Sequence, residues 1–116
     1  MSGVAIIGGS GLQRLSLLSE SSCQTYQTPF GEVTYFLGDF EGQRVVFLAR
    51  HGEGHVLAPH KINYRANVWA LADMGINQVL AINAVGGIHE DFVAGHFVVP
   101  DQIIDYSHGR RATYCD

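Results

Sequence analysis

An arginine and a histidine stand side by side at Arg50-His51, at the end of an apolar run and directly before Gly52. A guanidinium offers a rigid fork of N–H donors suited to phosphate, and an adjacent imidazole can donate or hold a proton near neutral pH. Two other turns have the same build. Gly8-Gly9-Ser10-Gly11 follows the apolar residues 4–7, and Asn83-Ala84-Val85-Gly86-Gly87 follows the apolar residues 79–82. Glycines let backbone N–H groups approach an anion closely, Ser10 adds a hydroxyl, and a helix start behind such a turn adds a favourable dipole. In open α/β sheets ligands collect at the carboxyl ends of strands, so three such turns at one edge predict the rim of an anion pocket. Each turn alone is equally a tight strand-to-helix connection. The first also lacks both the GxGxxG spacing of a dinucleotide site and the GK[ST] ending of a P-loop. It is the conjunction of the three, with Arg50-His51 in one of them, that points to a ligand.

Other polar residues are weaker candidates. His51, His55 and His60 could suggest a metal, but a helical ligand pair is opposed by Gly52 and Gly54, and no cysteine cluster or carboxylate pair completes a set. No metal is expected. Glu53, Glu90 and Asp91 read as solvated loop charges, Lys61 and Arg65 as the exposed side of a helix or its approach, and Trp69 as core.

The elements that must position these residues follow from periodicity. Residues 4–7 read as a buried strand entering a tight turn, and a short helix is expected over 12–18. Strands are expected over 23–27, 33–37 and 44–49, with turns at Pro29-Phe30-Gly31 and Glu41-Gly42. Residues 63–74 read as a helix whose apolar face carries Tyr64, Asn67, Val68, Leu71 and Met74, stopped by Gly75. A second buried strand is expected over 77–82, with short strands over 97–99 and 102–106. Strand, helix and strand in succession argue an α/β domain with a mixed central sheet flanked by helices. One long helix is too few to cover both faces of such a sheet, so the domain reads as cut off partway.

Composition narrows the class. The chain has 116 residues and a net charge of −4, enough for one domain and with no basic field to favour nucleic acid or an anionic membrane. Cys23 and Cys115 are far apart with nothing to pair them, which is the usage of a reduced, cytoplasmic protein. No basic stretch leads into an apolar segment at the N-terminus, and the longest apolar run, 45–49, is only a strand's length.

Taken together, these segments resemble the N-terminal part of the methylthioadenosine/methylthioinosine phosphorylases, a branch of the purine nucleoside phosphorylase family. The matching stretches are VAIIGGSGL (4–12), TPFG (28–31), FLARHGEGH (47–55), APHKINYRANVWAL (58–71) and INAVGGI (82–88), in order along nearly the whole chain. The resemblance implies a phosphorylase-like α/β fold and phosphorolysis. Phosphate attacks C1′ of a nucleoside, the N-glycosidic bond breaks, and a free purine and a sugar 1-phosphate leave. It implies no metal or organic cofactor, inorganic phosphate being a co-substrate. Ser10, Arg50, His51 and Ala84 match phosphate-binding positions. Gly9, Asn83 and His55 match further substrate or phosphate contacts, with His55 at the 5′-substituent pocket in some members. Asn63 and Asn67 match supporting positions. Related enzymes often carry Ser or Thr where Asn83 stands.

The INAVGGI and PHKINYRAN versions resemble the methylthioinosine enzymes more than the methylthioadenosine type, which is the alternative. Family members run to roughly twice this length. The resemblance therefore makes residues 1–116 the phosphate-binding part of a single phosphorylase domain, without the residue that protonates the leaving base, and with little or no turnover alone. Relatives of full length form homotrimers, so self-association is expected, with no membrane or nucleic-acid partner. Three other readings compete. FLARHGE also resembles the histidine phosphatases, but their motif follows the first strand, and the flanking segments here match the phosphorylases. A non-catalytic paralogue is the second. A dinucleotide-binding module is the weakest, lacking an acidic residue about twenty positions after the glycine turn.

Overall fold

The computed structural model describes residues 3–9 and 18–115. In chain order they form β1 (Val4–Gly8), β2 (Ser19–Thr28), β3 (Gly31–Phe40), β4 (Gln43–Ala49), a 3₁₀ turn (Pro59–Lys61), α1 (Tyr64–Asp73) and β5 (Gln78–Ala81). The strands make one mixed sheet in the order β2-β3-β4-β1-β5. β2, β3 and β4 are antiparallel neighbours, whereas β1 runs parallel to both β4 and β5. The α/β class and the mixed sheet expected from the sequence are both found. The helix expected over 12–18 falls almost entirely on positions outside the described residues.

Burial explains why β4 sits in the middle. Val45, Val46, Phe47 and Leu48 are all buried, which alternating side chains achieve only when both sheet faces are covered. Val46 and Leu48 face α1, in clusters with Ala5, Tyr35, Val33, Ala66, Ala70 and Leu71. Val45 and Phe47 point to the opposite face and pack with Leu18 and Phe36.

The helix is where expected, but its buried face is different. Ala66, Ala70 and Leu71 are buried, while Val68 is 53% exposed and Trp69 only half-buried. Alanines at a spacing of four let the helix axis approach the sheet closely, so the small residues mark the contact and the larger ones lie beside it. Asn63 sets the start of α1. Its side chain accepts a hydrogen bond from the Ala66 N–H (3.1 Å) and donates from Nδ2 to the Phe30 carbonyl (2.7 Å). One residue thus caps the helix and pins the β2–β3 turn to it. At the other end Tyr26 on β2 donates to the Asp73 carboxylate, and that bond raises the phenol's pKa above its ordinary value. Asn63→Ala removes the cap and the cross-link together and is expected to cost about 2 kcal/mol. A urea titration would read this as a lower midpoint with an unchanged slope.

Two expectations are corrected beyond α1. Residues 77–82 were expected as a buried strand, but all of β5 is exposed, with Val79 and Leu80 more than half so. β5 has one sheet neighbour, and no layer covers it among the described residues. The strands expected over 97–99 and 102–106 do not form, and every residue from 83 to 115 is exposed, Phe97 at 93% and Val99 at 95%. Apolar β-formers make a strand only when a neighbour completes the ladder, and no described strand offers one there.

Candidate anion-binding site

β1, β4 and β5 are mutually parallel, so their carboxyl ends meet at one edge of the sheet. The register sets Gly8 beside Ala49 and Ile7 beside Ala81. Two hydrogen bonds carry the ladder one residue further, from the Arg50 N–H to the Gly8 carbonyl (2.9 Å) and from the Ile82 N–H to the Ile7 carbonyl (2.9 Å). Gly9, Arg50 and Asn83 are therefore neighbours at the point where the strands give way to loops.

The Arg50 side chain crosses this edge. Its Nη1 donates to Asn83 Oδ1 (2.6 Å) and more weakly to the Ile82 carbonyl (3.4 Å). The path runs directly over Gly9, where a Cβ would stand 1.9 Å from Nη2 and 2.5 Å from Cζ of Arg50. Gly9 thus lets the guanidinium lie flat across β1, a role distinct from the backbone approach to an anion that the sequence suggested. Both acceptors are neutral oxygens, so the pair orients the fork without cancelling its charge.

His51 is buried, at 7% exposure, in a loop that closes on itself. The Leu57 N–H donates to the His51 carbonyl (2.8 Å), and His51 Nδ1 lies 2.8 Å from the Leu57 carbonyl. A carbonyl only accepts, so Nδ1 carries the proton and Nε2 is the acceptor of the neutral ring. Gly52 and Gly54 take φ of 76° and 77°, and His55 follows at 58°. This left-handed turn folds the exposed His55 ring against His51, centroids 4.4 Å apart. No group of three or more metal-ligating side chains converges among the described residues.

The predicted site residues therefore divide. Gly9, Arg50 and Asn83 are brought into direct contact, and the rings of His51 and His55 meet at a tilt in the loop that begins beside them. Ala84 is exposed just beyond Asn83, with no side-chain donor of its own. Ser10 lies outside the described residues. Sequence reasoning missed the bond from Arg50 to Asn83 and the closure of the His51 loop on Leu57. The first had a signal in the polar residue ending an apolar strand; the second is backbone geometry that residue type does not announce.

A guanidinium held at an open strand edge, beside a tautomer-fixed imidazole, can take an anion such as phosphate in a fixed orientation. Comparison with known proteins gives this geometry a context. The family model described as the phosphorylase superfamily matches residues 3–116. A probable 6-oxopurine nucleoside phosphorylase of Thermococcus kodakarensis is 47% identical over 97% of this chain and 42% of its own length. A probable S-methyl-5′-thioinosine phosphorylase of Pseudomonas syringae is 48% identical over 95% of this chain and 46% of its own. An S-methyl-5′-thioadenosine phosphorylase of Hyperthermus butylicus is 48% identical over 97% and 42%. Among solved structures, methylthioadenosine phosphorylase from Schistosoma mansoni in complex with adenine superposes with a TM-score of 0.90 at 43% identity, over 98% of this chain and 42% of that one. The chain spans less than half the length of these relatives. No helix among the described residues is long and apolar enough to cross a membrane.

Proposed function

The chain belongs to the phosphorylase superfamily, and within it we propose that residues 1–116 form the phosphate-holding part of a purine nucleoside phosphorylase acting on S-methyl-5′-thioinosine. The observation that carries this reading is the Arg50 guanidinium laid across Gly9 and oriented by Asn83, next to His51 at the ends of three parallel strands. In phosphorolysis the glycosidic bond breaks through a cation-like sugar, and a phosphate held beneath C1′ both stabilises that charge and attacks it. Arg50 takes two phosphate oxygens through its fork. His51 meets the anion from Nε2, accepting a proton from hydrogen phosphate when neutral. Asn83 and Ala84 contribute through the turn after β5, Ser10 through the glycine turn after β1, and His55 borders the sugar's 5′-substituent. Inorganic phosphate is the co-substrate, and no metal or organic cofactor takes part.

The preference for thioinosine rests on the INAVGGI and PHKINYRAN segments. Overall identity does not separate the classes, since relatives named for thioinosine and thioadenosine are both 48% identical, and S-methyl-5′-thioadenosine is the second reading. The bare apolar surface of β5 and of residues 83–106 supports the placement of this chain within a larger enzyme, because exposed patches of that kind mark contact surfaces. A homotrimer in the cytoplasm is the assembly this reading implies.

The test is phosphorolysis by the 116-residue chain with methylthioinosine, methylthioadenosine and inosine, each with and without phosphate, beside thermal melts in phosphate. Phosphate is expected to raise the melting midpoint with no release of base. Release of base would show that the chain does more than hold phosphate. No shift of the midpoint would remove the phosphate site from Arg50.

A further inference from the structure

His51 holds one hydrogen-bonding atom that its own loop leaves unused. The residue is 7% exposed, and its Nδ1 is committed to the Leu57 carbonyl at 2.8 Å. A carbonyl only accepts, so the proton of the neutral ring sits on Nδ1 and Nε2 carries the lone pair. The bond from the Leu57 N–H to the His51 carbonyl (2.8 Å) closes the turn that holds this arrangement. Among the described residues nothing bonds Nε2. His55 meets the ring at a tilt of 38°, centroids 4.4 Å apart, without a hydrogen bond between them. No fully buried side-chain nitrogen or oxygen among the described residues lacks a partner, so Nε2 reaches the surface. A mostly buried imidazole thus presents an acceptor outward.

The side chains beside it present donors. A guanidinium cannot accept, so the oxygen of the Asn83 amide must face Arg50 Nη1 (2.6 Å), and Nδ2 is left to donate. The other N–H groups of the Arg50 fork, on Nε and Nη2, have no acceptor among the described residues. An anion suited to this set accepts from Arg50 and Asn83 and donates once to His51.

On the reading that Arg50 holds phosphate, we propose that His51 makes the strand-end site selective for a tetrahedral oxyanion that keeps a hydroxyl, hydrogen phosphate, against one that has none, sulfate. The two dianions match in charge and shape, so Arg50 and Asn83 attract them alike. Hydrogen phosphate donates its hydroxyl to Nε2. Sulfate can only turn an oxygen lone pair toward the Nε2 lone pair, which leaves both unpaired and adds repulsion. A site built to pair a ligand's hydroxyl rejects the ligand that lacks it for this reason. The 51–57 turn sets the choice, because a ring with its proton on Nε2 would donate to either anion.

The experiment is calorimetric titration of the full chain, Arg50→Gln and His51→Gln with inorganic phosphate and with sulfate. It is run at about pH 8, where both anions are dianions and an ordinary imidazole is neutral. Nitrogen NMR spectra of the imidazoles in the unaltered chain accompany it. Phosphate is expected to bind at least about tenfold more tightly than sulfate. In His51→Gln, whose amide can turn either a donor or an acceptor to the anion, the ratio should fall to within about threefold. The spectra should show the His51 proton on Nδ1, and phosphate but not sulfate should shift the Nε2 signal. Sulfate bound as tightly as phosphate, with both weakened in Arg50→Gln, would overturn the selectivity and leave the phosphate site standing. So would a ratio unchanged in His51→Gln, or a ring found protonated on Nε2. Phosphate that fails to bind, or binds undiminished in Arg50→Gln, would instead overturn the site on which the selectivity depends.

Discussion

Gly9→Ala is expected to abolish the rise in thermal midpoint that phosphate confers, while leaving the melting of the phosphate-free chain nearly where it was. The added methyl would stand 1.9 Å from Nη2 and 2.5 Å from Cζ of Arg50. Those atoms are the far end of a flexible side chain, so the arginine swings away and the strand stays. The hydrogen bond to Asn83 Oδ1 at 2.6 Å is lost with the move. A charge-assisted contact to an anion is worth roughly 1.5–3 kcal/mol, so phosphate affinity should fall by about ten- to a hundredfold. Arg50→Gln should produce a loss of the same size, and the double variant little more, because both changes remove one interaction. Asn83→Ala should fall between, since it leaves the guanidinium in place but unsteered. Phosphate protection that persists undiminished in Gly9→Ala would mean that Arg50 does not hold the anion.

The asymmetry between these residues also explains what could be read in advance. An arginine and histidine at a strand end, and glycines after two other strands, are local patterns, and the three parallel strand ends follow from the strand-helix-strand order. What Gly9 is for depends on the side chain of Arg50, arriving from just beyond β4 and forty-one positions away in the chain. Lys61 and Arg65 looked like solvated charges on a helix approach until residues 109–111 were brought against them. The strands expected over 97–99 and 102–106 failed in the opposite direction: the residues favour strands, but pairing is a property of the neighbour as much as of the segment. Periodicity placed α1 within a residue at each end, yet misjudged its buried face, because alanine carries little weight in an apolar count and most weight where a helix must come close to a sheet.

That last point can be settled together with the largest effect expected on stability. Phe47→Ala should leave the chain without a cooperative unfolding transition. Phe47 is 1% exposed at the centre of β4, paired in the ladder with Ile6 on one side and Phe36 on the other, and its ring stands 6.4 Å from that of Phe36. Truncating a buried phenylalanine costs about 3–5 kcal/mol, a large fraction of the roughly 5–15 kcal/mol that holds a domain together. This chain starts from the lower part of that range, because the apolar residues of β5 and beyond remain in water and contribute little. Val68→Ala supplies the contrast. The apolar count put Val68 on the packed face of α1, but at 53% exposure its truncation should change stability by no more than about 0.5 kcal/mol. Ala70, fully buried against Leu48 and Val33, should instead reject a larger side chain, with Ala70→Leu costing about 1–3 kcal/mol by overpacking. Urea titrations of the two helix variants separate the two descriptions of the helix. If Val68→Ala were costly and Ala70→Leu harmless, α1 would pack through its large residues, and the close approach of helix to sheet would be wrong.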